Sequence, residues 1–513
     1  MISSLIRNPI YICFIVLFSY GFFLWGASVP MTGDQKVYLS IALEMFEKKN
    51  WMIPSLFGEP NFLKPPFQYW ATLIGWKVFG LSLFGALIPS VLALVGSAFF
   101  CSGIAKHLKL KNPSLATLFF SATLGSMTYG STSQMEIWVV FFILASWWAV
   151  LVERLFLAYL LVGLMAWVKG PLYPALWTIS FLVWKPRSVK RLEFWVSLLV
   201  GILIGLSWYL LAAVTHHEEM MRQFFYVENL GKLNTHQGTI YGLWGEFFAS
   251  LLPWAAFILV GALQPETRSR WKQNLRFYCS FAIVSAVFFT FFPYRVYSYL
   301  YFLTPLAAML VSEVDFQLSR KIKFIAIGFY GVLFISLFAV IHMLQLSGWV
   351  GIWIEIFFIF SSSLFLFGLM KGKSTTIALA SLLIVTLVRI GAVQIGEQDF
   401  SGLKRYVSTQ DQKIAYFIEQ KDIWHEYGLV SAILQKPVTR LYDQSSVSQF
   451  LLHGGAVIFQ DDQSVPPSSS IQCTNWMRLK KRAKFPFERL MTKGVKWGDP
   501  EIMRRYQICF QST

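Results

Sequence analysis

The sequence predicts an all-α polytopic membrane domain of about thirteen spans, followed by a small α/β soluble tail. Three observations carry this. The 513 residues are 56% hydrophobic and 17% aromatic but only 14% charged, where soluble domains carry about a quarter charged residues; mean hydropathy is +0.53. Apolar runs long enough to span a bilayer recur from Pro9 to about residue 395. Lys and Arg collect after every second run, as they do in cytoplasmic loops. The formal charge of +17 would suggest nucleic acid in a soluble chain. Here topology and anionic head groups account for it, and no nucleic-acid partner is expected.

By hydropathy the spans fall near 9–29, 83–105, 113–130, 137–152, 155–168, 171–184, 195–215, 246–264, 277–292, 297–314, 324–345, 349–370 and 375–395. The first is too long for a signal-peptide core, so it reads as a retained span. Basic residues follow the even-numbered runs: Lys106 to Lys111, Arg154, Lys185 to Arg191, Arg268 to Arg276, Arg320 to Lys323, and Lys371 with Lys373. The positive-inside rule then puts the N-terminus in the cytoplasm. The loops at 30–82, 131–136, 169–170, 216–245, 293–296 and 346–348 lie outside, with the tail from about 396. That outer face collects Asp34, Lys64, Glu136, Lys169, Glu228, Lys232, His236 and Arg295.

The tail, 396–513, differs in composition. Leu429–Leu434 and Ala456–Phe459 read as strands; Asp461–Ser464 and Pro466–Ser468 read as turns, and the basic run Arg478–Lys484 as a solvated or lipid-facing patch. The five cysteines lack metal-ligand spacing. Cys13, Cys101 and Cys279 fall in apolar runs. Cys473 and Cys509 stand outside them, where a disulfide is allowed if the tail is extracytoplasmic.

The longest polar segment of the early chain, Met31–Trp70, is the focus of the outer face. Asp34 opens it. Tyr38, Ile41, Ala42, Met45 and Phe46 follow at helical spacing, with Gln35, Lys36, Ser40, Glu44, Glu47 and Lys48 largely off that face. This predicts an amphipathic juxtamembrane helix lying on the membrane or on other helices. Pro54, Gly58 and Pro60 make turns, and Lys64-Pro65-Pro66 holds a cation on extended backbone. The order Asp, Tyr, an amphipathic helix with Met, Asn-Trp, Gly-x-Pro-x-Phe and Lys-Pro-Pro-x-x-Tyr-Trp resembles the first external loop of the GT-C glycosyltransferases. The resemblance is closest to the bacterial branch holding the lipid A aminoarabinose transferase and the protein O-mannosyltransferases. It covers about residues 1–310 by motif.

The resemblance implies roles for single residues. Asp34 matches the loop acid at the catalytic centre; its plainer reading is a helix N-cap. Glu136, in Gln-Met-Glu-Ile-Trp, stands where the family shows Asp, and its plainer reading is an acid favoured by a helix N-terminus. Lys64 matches the lysine near the carrier phosphate. Relatives often place a metal-binding Glu just before it, where this chain has Leu63. Lys169-Gly170-Pro171 resembles the family's Lys-Gly-Pro. Glu228 and Lys232, with His236, resemble its Glu-x-x-x-Arg and following His, which implies phosphate at Lys232 and His236 or a divalent metal at Glu228 and His236. Arg295 and Tyr299 match a Lys-Leu-x-x-Tyr-Leu segment. Each of these cations also has a bland reading as a solvated, snorkelling or interfacial group.

The implied activity is transfer of a sugar from a polyprenyl-phosphate carrier to lipid A, another envelope glycan or a protein, at the outer face of a bacterial inner membrane. The alternative is a transporter or flippase of lipid-linked sugars. No Gly-rich nucleotide loop, metalloprotease helix or Cys/His cluster is present in the sequence.

Overall fold

The computed structural model describes residues 8–21, 34–343, 348–409, 413–418, 427–460, 471–479 and 503–511. The turn clusters expected at 461–468, Thr32 and Gly33 before Asp34, and most of the basic run after Arg478 lie outside the described residues.

In chain order the elements are α1 (Pro9–Gly21), α2 (Gln35–Lys48), β1 (Ser55–Leu56), β2 (Glu59–Pro60), α3 (Phe67–Phe79), α4 (Leu83–His107), α5 (Pro113–Ser121), α6 (Leu124–Gly130), α7 (Glu136–Leu151), α8 (Leu155–Lys169), α9 (Leu172–Trp184) and α10 (Leu192–Thr215). There follow α11 (His217–Met220), a π-helical stretch Met221–Leu230, α12 (Gly231–Asn234), α13 (Ile240–Ser250), α14 (Ala255–Leu263), α15 (Pro265–Gln273), α16 (Leu275–Phe291) and a 3-10 turn Tyr297–Leu303. The rest are α17 (Thr304–Ser312), α18 (Arg320–Met343), α19 (Gly348–Lys371), α20 (Ser374–Thr409), β3 (Ile414–Phe417), α21 (Tyr427–Leu434), β4 (Thr439–Leu441), α22 (Gln444–Leu452), β5 (Ala456–Gln460), β6 (Ile471–Leu479) and β7 (Met503–Gln511). They divide into two compact units. The first holds Met1–Phe23, Pro60–Gln68 and Ile88–Gly391; the second holds Leu24–Glu59, Tyr69–Leu87 and Ala392–Thr513.

Among the described residues four helices are long and apolar enough to cross a membrane, or six if two sharply bent pairs each count as one span. Six more apolar helices have 10 to 17 residues. On α10, Leu192, Leu199, Leu203, Leu210 and Val214 are exposed, as a lipid-facing stripe would be. Among the described residues three of the thirteen expected runs are not single α-helices; residues 297–314 divide into the 3-10 turn Tyr297–Leu303 and α17. Residues 113–130 break at Thr123, whose hydroxyl caps α6 by accepting from the Ser126 amide. Residues 246–264 bend by 87° between α13 and α14, at Pro253, which lacks the N–H that a continuing helix needs.

In the first unit, the loops expected to share one side of the membrane touch each other. Glu313, at the end of α17, accepts from the Lys111 amide at 2.5 Å and pairs with Arg270 at 3.1 Å. The Asn274 side chain donates to Leu108 O at 3.1 Å, and Lys323 Nζ to Met370 O at 2.9 Å. Packing between α8 and α10 is close because both carry glycine at the crossing. A Cβ on Gly163 would stand 2.5 Å from Gly201 O, and one on Gly201 would stand 2.7 Å from Tyr159 O.

In the second unit, the sheet order is β4-β3-β5-β7-β6. β3 is parallel to β4 and β5, and β7 is antiparallel to β5 and β6. Leu429–Leu434, expected as a strand, lies in α21 instead. A short apolar run does not distinguish strand from helix. Here β3 and β4 are parallel, and parallel neighbours need a crossover, which α21 supplies. Cys473 and Cys509 are partners across β6 and β7 and form a disulfide. Most of the polar side of α2 is also out of water, with Glu47 and Lys48 exposed at its end. Gln35, Lys36, Ser40 and Glu44 are buried, and the helix packs on α21 within this unit.

Candidate functional site

The first unit brings five of the expected residues to one cavity. Lys64, Lys169, Glu228, Lys232 and Tyr299 line it, with Tyr173, Phe224, Phe289 and the Gly170–Pro171 turn, and its empty volume, mouth included, is about 580 Å³.

One wall comes from two helix ends. α7 starts at Glu136 and α8 ends at Lys169, so the acid stands at a helix N-terminus and the cation at a helix C-terminus, each the favoured end for its charge. The two helices are joined by a short turn and pack together. Residues 33 apart in sequence therefore meet, Lys169 Nζ to Glu136 Oε1 at 2.8 Å. Ser298 Oγ donates to the same oxygen at 2.7 Å. Lys169 also faces the rings of Tyr299 at 5.4 Å and Tyr173 at 6.0 Å. Gly170 ends α8 at φ 88°, a backbone angle that favours glycine and lets the chain turn into α9.

The other wall is built on the π-helical stretch, a widened geometry frequent at functional sites. Glu228 lies on it, and its Oε1 accepts from both Lys64 Nζ and Lys232 Nζ. Lys232 stands 5.1 Å over the ring of Tyr294. Lys64 reaches Glu228 because Gln223 clips its strand: Gln223 Oε1 accepts from Phe62 N at 2.8 Å and its Nε2 donates to Pro60 O at 3.0 Å. Burial alone would push the Glu228 carboxyl up, but the two ammonium groups outweigh it and hold it below the usual range. Burial, then the charge of Lys64, pushes Lys232 down to about 8, against the pull of Glu228.

Three other expected residues are elsewhere. Arg295 spends its guanidinium on backbone, donating to Thr290 O at 2.9 Å and Gly238 O at 3.4 Å, and its amide donates to Gln237 O at 2.7 Å. It ties the 237–238 turn to the 294–295 segment and does not line the cavity. His236 is exposed and does not line it either. Asp34 belongs to the second unit. It is exposed and stands at the N-cap of α2, as the plainer reading expected, with no side-chain capping hydrogen bond. Gln223 and Ser298 had no signal in the sequence, because what each does depends on a partner from a distant element.

The cavity is basic. Three ammonium groups line the cavity against one carboxylate, with Glu136 behind Lys169. The donor set at Glu228 does not suit a divalent cation, which takes several oxygens and no ammonium neighbours. Among the described residues no cluster of three His, Cys, Asp or Glu side chains has metal-binding geometry.

The fold is that of a mostly helical protein with several helices long and apolar enough to cross a membrane, and its cavity is basic. Over 96% of each chain the structure superposes, with a TM-score of 0.65 at 16% identity, on the crystal structure of ArnT from Cupriavidus metallidurans bound to undecaprenyl phosphate. In sequence the chain is similar to several proteins named undecaprenyl phosphate-alpha-4-amino-4-deoxy-L-arabinose arabinosyl transferase. It is 27% identical over 219 residues to that of Pseudomonas savastanoi pv. phaseolicola, covering 38% of this chain and 40% of the relative. To that of Edwardsiella ictaluri it is 30% identical over 280 residues, covering 49% and 50%. The chain thus spans about half the length of these curated relatives. No family model matches it.

Proposed function

We propose that this protein is a membrane glycosyltransferase that moves a sugar from a polyprenyl-phosphate carrier to an acceptor at the outer face of a bacterial inner membrane. The observation that carries the reading is the convergence of Lys64, Lys169 and Lys232 on one cavity with an excess of positive charge. In the reaction the bond from the anomeric carbon to the phosphate oxygen breaks and the phosphate leaves with the electron pair. The acceptor oxygen bonds to that carbon and gives up its proton to a base. Lys64 and Lys232 hold the departing phosphate, where developing charge is best met by fixed cations. Lys169, fixed by Glu136, supplies a third positive group. Asp34 is the base by the likeness of its loop, and Arg295 braces the turn beside the site.

The named relatives favour an amino-pentose donor over a mannosyl one, and lipid A, another envelope glycan or a protein remain the acceptor classes. The same reading takes residues 1–395 as the membrane domain of about thirteen spans, with the N-terminus inside, and 396–513 as a domain outside. A transporter is disfavoured: its broken helices fall in two matched halves, whereas the two bent pairs here are consecutive in the chain.

The test is transfer from labelled polyprenyl-phosphate sugars to lipid A, envelope glycan or protein acceptors in detergent, with donor binding measured separately. Lys64→Ala and Lys232→Ala should each weaken donor binding about tenfold and lower turnover. Asp34→Asn should lower turnover by roughly two to four orders of magnitude with donor affinity unchanged. Absence of transfer by the wild type from every such donor, to lipid A, envelope glycan and protein acceptors alike, or wild-type donor affinity in both lysine variants, would refute the proposal.

A further inference from the structure

One buried acid has no part in the basic cavity. Glu44, on α2, is 0% exposed, and a carboxylate is buried at that depth only if it is fully hydrogen bonded. Its two oxygens accept from the Phe57 amide at 2.7 Å and the Gly58 amide at 3.0 Å. Phe57 and Gly58 have φ of 56° and 85°. Successive left-handed residues aim neighbouring N–H groups at one anion, and for Phe57 the conformation is strained, so Glu44 holds this turn in place. The same carboxylate accepts from Tyr427 Oη at 2.7 Å.

The contacts repeat along the helix. One turn before Glu44, Ser40 Oγ accepts from the Gly428 amide at 3.2 Å, and a Cβ on Gly428 would stand 2.3 Å from Ser40 N. Three residues after it, Glu47 pairs with Arg440 at 2.7 Å, and the Arg440 guanidinium lies 5.4 Å from the centre of the Tyr427 ring. Ser40, Glu44 and Glu47 form one stripe at i, i+4 and i+7. The face that looks solvent-exposed in sequence is the seat of Tyr427, Gly428 and Arg440, all from the C-terminal part of the chain. The helix they grip is the one that begins at Asp34.

We infer that Glu44 with its partner Tyr427, and Glu47 with its partner Arg440, are positioning residues for Asp34, so that the C-terminal segment is needed for turnover without touching substrate. A helix is stiff over four turns, so fixing residues 40 to 47 fixes where residue 34 stands. The inference rests on the proposed role of Asp34 as the base.

The experiment uses the full-length enzyme and a labelled polyprenyl-phosphate sugar, with turnover expressed per mole of donor bound so that unfolded protein is not counted. Tyr427→Phe removes one hydroxyl and should lower kcat about five- to tenfold, with donor affinity within about twofold, as for a misplaced catalytic group. Glu47→Arg and Arg440→Glu should each lower kcat similarly, and the double swap should restore it to within about threefold of wild type. Backbone amide exchange across residues 38–48 should quicken in the single variants and recover in the swap. Wild-type kcat in Tyr427→Phe and both charge singles, or a swap no better than its singles, would overturn the inference. A wild type inactive with every polyprenyl donor and acceptor class would refute the proposed function and this inference together, before any variant is compared.

Discussion

Glu228 is the residue on which the cavity's charge turns. Its one oxygen holds two lysines side by side, which would otherwise repel. The pH behaviour follows. With Lys232 at about 8, well below an ordinary lysine, raising pH through that value discharges it in the free protein. A bound phosphate favours the ammonium form, so binding above that pH must take up a proton. Donor affinity should therefore be constant below about pH 7.5 and fall above about 8, by up to tenfold per pH unit. Glu228→Gln removes the carboxylate that supports the Lys232 charge, so the fall should begin at lower pH. Titrating donor affinity between pH 6 and 10 checks both; a flat profile would mean that Lys232 does not meet the phosphate.

At the scale of elements, the cavity exists because helices end where they do and pack where they are small. α7 and α8 present Glu136 and Lys169 from opposite helix ends, and α8 is held against α10 at Gly163 and Gly201. Within lipid such close backbone approach is a main source of helix association. Gly201→Val should therefore lower the thermal midpoint in detergent, and lower donor binding with it, since the Tyr159 carbonyl has no room to retreat. Gln223→Ala acts more locally. It frees the strand that carries Lys64 and should weaken donor binding about three- to tenfold with the midpoint little changed, as expected for the loss of two hydrogen bonds. Melting curves beside donor titrations separate the two cases.

At the scale of the molecule, the basic segments at 106–112, 264–274 and 313–323 of the first unit meet around Glu313, and none of their residues lines the cavity. If these segments are cytoplasmic, an alkaline phosphatase fused at the C-terminus should be active and a fusion after Arg276 inactive. The reverse pattern would invert the topology. The Cys473–Cys509 bond joins β6 to β7 at the edge of the second unit's sheet. It should show as two thiols that label only after reduction in the unfolded chain.

What the sequence by itself determined is what short-range chemistry writes into neighbouring residues: apolar runs, the alternation of basic segments, and glycine and proline at turns. Lys64, Lys169, Glu228, Lys232 and Tyr299 were legible through the resemblance of their motifs to those of a known family. What only the tertiary structure decided is who meets whom. That Glu228 serves two lysines, that Ser298 and Lys169 share Glu136, that Arg295 is spent on backbone, and that α21 is a helix all depend on contacts between distant segments. The same holds for Glu44. By periodicity it belongs to the wet side of an amphipathic helix, yet it is buried, because the two amides and the tyrosine that satisfy it come from a turn 13 residues on and a helix 383 residues away. A local pattern can state that a helix has two faces; which face is covered, and by what, is set by packing against chain that the pattern does not contain.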